Sequence, residues 1–267
     1  PARTGESVEY VEDLDVAGVP CRLYRPGLGR GVVIHLHGGG FVEGGLASHD
    51  AVCHRLAALS GWSVLALDYR LAPEHPFPSA LEDAEAVIDY VQDKGGDLGV
   101  DGYRMTLLGD SAGGNFVAAL TLRERNRRGS EPGRFLLQVM IYPGLGSGEV
   151  TPSREQLSEG FALTTDAMGW YADTYVPNQD DRSREDVWPA LAQSLEDLPP
   201  ALVITAELDP LRDEAERYAA RLAQDRVPIV CTRYLGMVHG FWRRPATVEA
   251  AKSAVGQVAQ ALRDLPL

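Results

Sequence analysis

Positive charge and cysteine are both scarce in this chain of 267 residues. It carries 25 Lys and Arg against 38 Asp and Glu, a formal net charge of −13. Binding to a phosphate backbone needs clustered basic side chains, so the composition argues against nucleic acid as a partner. The cysteines are Cys21, Cys53 and Cys231. An odd number without metal-ligand spacing indicates neither a disulfide framework nor a metal site, and we interpret them as small apolar side chains in a reducing compartment.

Long apolar runs are missing as well. No stretch approaches the roughly 20 apolar residues that a membrane-spanning helix requires. The first residues, PARTGESVEY, lack the basic, apolar and small-residue pattern of a secretory signal. For the printed sequence, these absences predict a cytoplasmic protein that has no membrane partner.

Short apolar runs alternate with helical patterns along most of the chain. Residues 7–16 and 19–26 alternate like the strands of an antiparallel hairpin. Six further runs rich in β-branched residues predict strands buried on both faces, at 32–36, 62–67, 104–109, 135–142, 201–206 and 229–234. Helical spacing predicts helices at 48–60, 79–94, 112–128, 211–225 and 247–264. The alternation predicts an α/β fold with a mostly parallel eight-stranded sheet flanked by helices.

Residues 144–198 interrupt this alternation, because the next strand is delayed and the intervening sequence has helical patterns of its own. We predict a single domain over 1–267, with 144–198 as an insertion above the carboxyl end of a strand. Open α/β sheets bind their ligands at that edge.

A G-x-S-x-G pattern, GDSAG at 109–113, lies between a predicted strand and a predicted helix. This is the setting of a nucleophile elbow, where glycines allow a tight turn and a close approach of helix to strand. The same glycines also suit an ordinary strand-to-helix turn, so the pattern alone leaves both interpretations open. Its placement favours Ser111 as a nucleophile. Asp110 points away from the serine in such an elbow, and we interpret it as structural.

A serine hydroxyl becomes nucleophilic when a histidine accepts its proton and a carboxylate orients that histidine. In an elbow fold the chain order is serine, acid, histidine. His239 is the one histidine of the six that follows Ser111. Asp209 follows the preceding predicted strand and is our candidate acid. Asp213 is the alternative, although its place inside the next helix also suits a partner of the helix dipole. We interpret Glu207 as a supporting hydrogen-bonding group.

A glycine-rich loop, HLHGGGF at 35–41, directly follows another predicted strand. Acyl transfer needs preorganised N–H donors for a tetrahedral oxyanion, and successive glycines can present such amides. A flexible turn has the same composition. The presence of an elbow later in the chain favours the oxyanion hole, which the amide of Ala112 is expected to complete.

With these residues placed, the chain resembles the hormone-sensitive-lipase-like esterases, the bacterial family IV carboxylesterases of the α/β-hydrolase superfamily. The matching pieces, in family order, are HGGGF (37–41), DYRLAPEHPFPSALED (68–83), GDSAGGN (109–115), AELDPLRDE (206–214) and HGF (239–241). The resemblance implies that Ser111, Asp209 and His239 form a catalytic triad. It also implies that the amides of Gly39, Gly40 and Ala112 form the oxyanion hole.

The resemblance further implies that His37 orders the glycine loop and that Glu74 and His75 belong to the scaffold. Residues 144–198 look like the family's cap. The N-terminal half of that cap has no counterpart in this chain, so the acyl-chain preference stays open.

These inferences predict a serine carboxylesterase that hydrolyses short-chain or small carboxylic esters through an acyl-enzyme, with no metal or organic cofactor. A related acyl hydrolase acting on lactones, amides or carbonates is one alternative, and a ligand-binding protein on the same fold is another. Aromatic candidates for the pocket wall are Phe41, Phe161, Trp170 and Trp188, with core or cap packing as their other interpretation. The last strand is a predicted sheet edge that would pair across a homodimer.

Overall fold

A computed structural model of the protein describes residues 8–27, 30–129, 131–146 and 150–266. Its strands are β1 (Tyr10–Val16), β2 (Val19–Arg25), β3 (Val32–Leu36), β4 (Ser63–Leu67), β5 (Met105–Asp110), β6 (Phe135–Ile141), β7 (Ala201–Leu208) and β8 (Ile229–Val238). Its α-helices are α1 (Leu46–Ser60), α2 (Ser79–Lys94), α3 (Ala112–Arg128), α4 (Pro152–Gln156), α5 (Thr165–Tyr175), α6 (Arg212–Gln224) and α7 (Glu249–Arg263). Four short 3-10 helices lie at Gly95–Leu98, Gln179–Ser183, Pro189–Leu191 and Phe241–Arg243.

The strands form one twisted sheet in the order β1-β2-β4-β3-β5-β6-β7-β8. β2 runs antiparallel to both of its neighbours, and the pairs from β4 through β3 to β8 are parallel. The predicted α/β-hydrolase architecture is therefore confirmed. The predicted start of the hairpin at residue 7 lies outside the described residues.

Two apolar layers cover the sheet, because successive strand residues point to opposite faces. In β3, Val32 and Ile34 belong to the apolar layer that includes residues of α2, α3 and α6, whereas Val33 belongs to the layer on the other face, with residues of α1 and α7. Every residue of β3, β4 and β5 is buried. This burial explains why those strands are continuous apolar runs rather than alternating ones.

The outermost strand of the parallel part, β8, differs from the others in exposure. Its residues are half-buried or exposed along its whole length, and its predicted position at a sheet edge is confirmed. Cys21 and Cys53 are buried as predicted, but Cys231 on β8 is exposed. The interpretation of Cys231 as a small apolar filler is wrong, because an edge strand leaves one side of its chain uncovered.

The insertion at 144–198 contains α4, α5 and two of the 3-10 helices, so the helical patterns predicted there are confirmed. It departs from the sheet just after β6 and returns at the start of β7. Parallel strands end at the same edge of a sheet, so β3, β5, β7 and β8 bring the loops that follow them together beneath the insertion.

Candidate active site

Ser111 lies in the turn between β5 and α3 with a backbone conformation that is rare for a side-chain-bearing residue, φ 56° and ψ −117°. The turn is held by the Ser111 amide, which donates to the carbonyl oxygen of Ile141 at 2.9 Å. Glycine is required around it: a Cβ on Gly113 would lie 1.9 Å from the carbonyl oxygen of Leu36, and one on Gly109 would lie 2.2 Å from that of Gly113. Such strained turns persist where the surrounding structure fixes them, as at a nucleophile elbow.

His239 connects the serine to a carboxylate. Its Nε2 lies 2.8 Å from Ser111 Oγ, and its Nδ1 lies 2.7 Å from Asp209 Oδ2. Asp209 is fully buried, and its other oxygen accepts the backbone amide of Leu211 at 2.9 Å. Because an ionised carboxylate only accepts hydrogen bonds, Nδ1 carries the proton, which leaves Nε2 free to accept the serine proton.

The rival carboxylate, Asp213, is engaged elsewhere. It accepts the Arg212 guanidinium at 2.8 Å within α6, and it accepts the amide of Ser153 at 2.8 Å, a contact that holds the insertion against α6. Partial burial works against ionisation of Asp213, but these hydrogen bonds lower its pKa below the ordinary value. The structure thus brings Asp209, and not Asp213, to the histidine.

Glu207, near the end of β7, stabilises the end of β8 that precedes His239. Its side chain accepts the amide of Gly236 at 2.7 Å, close to the end of β8. Gly236 has a positive φ of 71°, and β7 and β8 shift register near this point. The contact therefore fixes the irregular stretch of β8 that leads to His239.

Asp110 occupies the buried side of the elbow, as predicted for a structural residue. One of its oxygens accepts the amide of Gly38 at 3.0 Å and lies 2.9 Å from His49 Nε2, and the other accepts the Tyr142 hydroxyl at 3.3 Å. Burial by itself would raise its pKa, but the His49 contact holds the pKa of Asp110 well below its usual range. This carboxylate therefore ties the serine turn to the glycine loop.

The glycine loop after β3 is shaped by close contacts. A Cβ on Gly39 (φ 137°) would lie 1.9 Å from the carbonyl oxygen of Glu43, and one on Gly40 (φ 59°) would lie 2.4 Å from the Tyr171 ring. Gly39, Gly40 and Ala112 line the same cavity as Ser111 and His239. The structure thus brings the three predicted oxyanion-hole residues to the serine.

Buried histidines support the glycine loop. His37 stacks on Tyr69 with ring centroids 4.2 Å apart, and its Nδ1 lies 3.0 Å from the carbonyl oxygen of Gly38. Burial lowers the pKa of His37 to about 4 and the pKa of His35 to about 3. Both rings are therefore neutral at pH 7, which fits a loop-ordering role for His37. Glu74 and His75 are exposed and outside the cavity wall, as expected for scaffold residues.

A cavity of about 510 Å³ opens over Ser111. Of the predicted aromatic wall residues, Phe41 and Trp188 line it, whereas Phe161 and Trp170 do not. In α5 the cavity is lined by Met168, Tyr171 and Ala172.

The two wrong pocket predictions have separate causes. Trp170 lies on the outer face of α5, because residues three and four apart share a helix face, and its side chain is 57% exposed. The chain turns at Ala162, with φ 73°, which brings Ala162 and Leu163 rather than Phe161 to the cavity.

Besides Tyr171, which lines the cavity, two further aromatic residues near the site were not predicted. The Tyr142 ring lies 4.6 Å from that of His239, and Tyr175 stacks on Phe41 with ring centroids 4.0 Å apart. Tyr142 directly follows β6, so its place at the carboxyl end of a strand was the available sequence signal. Tyr175 falls on the same face of α5 as Met168 and Ala172, a pattern that only the packing of the insertion reveals.

Over the residues described, no helix has both the length and the apolar character to cross a bilayer. The same part of the chain holds no group of three or more His, Cys, Asp or Glu side chains that could hold a metal ion.

Known proteins resemble this chain over most of its length. A family model described as the alpha/beta hydrolase fold matches residues 33–243. The ethyl acetate hydrolase of Pseudomonas putida is 34% identical over 92% of this chain and 78% of its own length. The arylesterase of Saccharolobus solfataricus is 33% identical over 94% of this chain and 82% of its own.

A solved structure of a hyperthermophilic esterase from the archaeon Pyrobaculum calidifontis superposes with a TM-score of 0.91 at 42% identity, covering 97% of this chain and 85% of that one. Fold, motifs and relatives agree, and the chain belongs to the hormone-sensitive-lipase-like carboxylesterases of the α/β-hydrolase fold and is a carboxylic ester hydrolase.

Proposed function

We propose that the protein hydrolyses small carboxylic esters through an acyl-enzyme on Ser111. The observation that carries this proposal is the unbroken contact from Ser111 Oγ through His239 to Asp209, at 2.8 and 2.7 Å, on the floor of the cavity. His239 accepts the serine proton, Ser111 Oγ bonds to the ester carbonyl carbon, and the protonated histidine returns the proton to the departing alcohol. Water, activated by the same histidine, then releases the carboxylic acid.

The developing oxyanion is stabilised, in this proposal, by the backbone amides of Gly39, Gly40 and Ala112. Fixed donors of this kind act without the reorganisation that water requires, which makes them a large part of the rate enhancement. The Asp110 contact with the Gly38 amide supports the proposal, because it fixes the glycine loop relative to the serine turn.

The volume of the cavity and the residues that bound it indicate the size of the substrate. Residues 144–198 act as a cap in this proposal, and Trp188 from the cap and Phe41 from the glycine loop bound a cavity of about 510 Å³. This volume is at the lower end of the range for small-molecule sites. It favours esters with a short acyl chain and a compact alcohol.

The direct test is Ser111→Ala, assayed with phenyl butyrate. Loss of a triad serine leaves only binding and oxyanion stabilisation, so we expect kcat to fall by about 10⁴-fold or more. The variant should bind substrate and unfold at the same temperature as the parent. Hydrolysis at the parent rate would show that another residue carries the reaction.

A homodimer through β8 is the assembly that the sheet edge supports. Val230 is 57% and Leu235 72% exposed on this strand, and an uncovered edge presents unpaired backbone groups to a second copy. Light scattering should give a dimer mass for the parent and a monomer mass for Val230→Lys. A monomeric parent would contradict this assembly.

A further inference from the structure

The cavity wall contains two arginines that form no ion pair with any described residue. Arg154 and Arg243 both contribute to its wall. The chain has more carboxylates than basic groups, and several arginines elsewhere form ion pairs with them. Arg123, for example, pairs with both Glu85 and Asp186. Within the described residues, neither Arg154 nor Arg243 has an ion pair or a side-chain hydrogen bond.

Arg243 is held close to the predicted catalytic histidine. It ends the short helix Phe241–Arg243, which follows His239 and Gly240 directly. Phe241 and Trp242 are buried and anchor that helix, whereas the Arg243 side chain is exposed to the cavity and solvent. A rigid backbone therefore presents a free guanidinium beside the reacting centre.

Arg154 lies in α4 of the insertion, and hydrogen bonds of the neighbouring Ser153 fix the position of that helix. The Ser153 hydroxyl donates to the carbonyl oxygen of Pro210 at 2.9 Å, and the Ser153 amide donates to Asp213 at 2.8 Å. These contacts fix α4 against the loop that carries Asp209. A third wall arginine, Arg182, differs because it pairs with Asp173 at 2.7 Å and donates to the carbonyl oxygen of Val176.

The carboxylates in the same wall form no ion pair with the two arginines. Burial raises the pKa of Glu214, and the charge of Arg154 works against that rise, so these two groups interact at longer range. Asp110 is buried among its own partners, and Glu214 is buried and accepts the amide of Leu145 at 2.7 Å. Glu43 is the exposed carboxylate in this wall, and it forms no ion pair with Arg243. The wall therefore holds two guanidinium groups that have no direct ion pair among the described residues, and Glu43 is its exposed carboxylate.

We propose that the preferred esters of this protein carry a carboxylate, on either the acyl or the alcohol part, that binds Arg154 or Arg243. The inference rests on the proposed function. A guanidinium donates two parallel hydrogen bonds to a carboxylate, and an ion pair within a cavity is less screened than one on an open surface. Glu43 opposes this preference through its own charge.

The experiment compares matched neutral and charged esters. Phenyl butyrate is the neutral substrate, phenyl hydrogen succinate carries its charge on the acyl part, and 4-carboxyphenyl butyrate carries it on the alcohol. The uncatalysed rate at the assay pH is subtracted first, because the succinate carboxylate attacks its own ester and releases phenol as the anhydride forms. Each kcat/KM is then divided by the rate constant for hydroxide hydrolysis of the same ester, which corrects for differences in intrinsic reactivity. We expect at least one charged ester to exceed the neutral one by about tenfold, the size of one charge-assisted hydrogen bond.

Three variants locate the effect. Arg154→Gln or Arg243→Gln should lower the charged-to-neutral ratio by about tenfold, and Glu43→Gln should raise it. Arg244→Gln is the matched control, because Arg244 is adjacent, also exposed and outside the cavity wall. A ratio that neither arginine variant lowers would overturn the inference. Failure of the parent to hydrolyse phenyl butyrate would instead overturn the proposed function.

Discussion

The cavity has two walls that are built differently. The sheet-side wall, formed by Gly39, Gly40, Ser111 and His239, comes from loops at the carboxyl ends of parallel strands. Hydrogen bonds tie it to buried groups behind it, among them Asp209. The cap-side wall, formed by Ala162, Leu163, Met168, Tyr171 and Trp188, comes from the insertion and is mostly half-buried or exposed.

The difference follows from what each wall must do. Proton transfer and oxyanion stabilisation depend on donor and acceptor positions within a few tenths of an ångström, which only a rigid frame supplies. Selection of an ester depends on the volume and charge of the cavity, which side-chain packing can adjust. We therefore expect substitutions in the sheet-side wall to change kcat or stability, and substitutions in the cap-side wall to change substrate preference.

The largest expected effect after that of Ser111→Ala is that of Asp209→Asn, directly behind the sheet-side wall. The amide cannot hold the histidine tautomer that leaves Nε2 free, so kcat should fall by about 10³- to 10⁴-fold in steady-state assays. Asp213→Asn is the control, because it removes a contact to the insertion and leaves the histidine partner in place. A larger loss of kcat for Asp213→Asn would move the acid to that residue.

Alanine substitutions at Gly113, behind the sheet-side wall, and at Gly169, in the insertion, compare the effects on stability of changes in the two regions. Gly113→Ala places a Cβ 1.9 Å from the carbonyl oxygen of Leu36, whereas Gly169 in α5 has open space around it. In urea unfolding, Gly113→Ala should lower the free energy of unfolding by about 3 kcal/mol through overpacking. Gly169→Ala should raise it by roughly 0.5 to 1 kcal/mol through helix propensity. Equal effects at the two positions would contradict the distinction between the walls.

The buried histidines behind the sheet-side wall make stability depend on pH. The pKa of His37 is lowered to about 4 and that of His35 to about 3 in the folded protein, against about 6.5 in the unfolded chain. Between these values the unfolded state binds more protons, so the free energy of unfolding falls as pH falls. Each histidine should contribute about 1.4 kcal/mol per pH unit below pH 6. Urea unfolding that gives the same free energy at pH 7 and pH 5 would contradict this account.

The smallest expected effect is in the cap-side wall. Trp188→Ala enlarges the cavity and should shift the preferred acyl chain toward longer esters, with a change of about tenfold in relative kcat/KM, the size of a few methylene contacts. Trp170→Ala removes an outward-facing side chain and should leave the preference unchanged. The measurement is a series of aryl esters from acetate to octanoate. A shift caused by Trp170→Ala and not by Trp188→Ala would reverse our assignment of the wall.

The two walls also differ in how far the sequence predicts them. The elbow and the glycine loop each follow a buried strand, and His239 follows the edge strand β8. Parallel strands end at a common edge, so strand positions alone place these residues together. The choice of Asp209 over Asp213 agrees with the geometry because a residue in the loop reaches that edge, whereas one inside α6 faces the insertion.

The cap-side wall could not be predicted in the same way. No sheet fixes the direction of α5, so the sequence could not show whether Trp170 or Tyr171 faces the cavity. The turn at Ala162 likewise depends on how the insertion packs. The absence of an ion pair at Arg154 and Arg243 within the described residues is also a tertiary property, because it depends on where the carboxylates of the folded chain lie.

Covalent labelling tests the central claim most directly. The parent protein is treated with a fluorophosphonate, which reacts with an activated serine hydroxyl, and the modified peptide is identified by mass spectrometry. We predict a single adduct on Ser111 that forms with loss of esterase activity and is strongly slowed in Asp209→Asn. An adduct on another residue, or full activity after Ser111 is modified, would contradict the proposed mechanism.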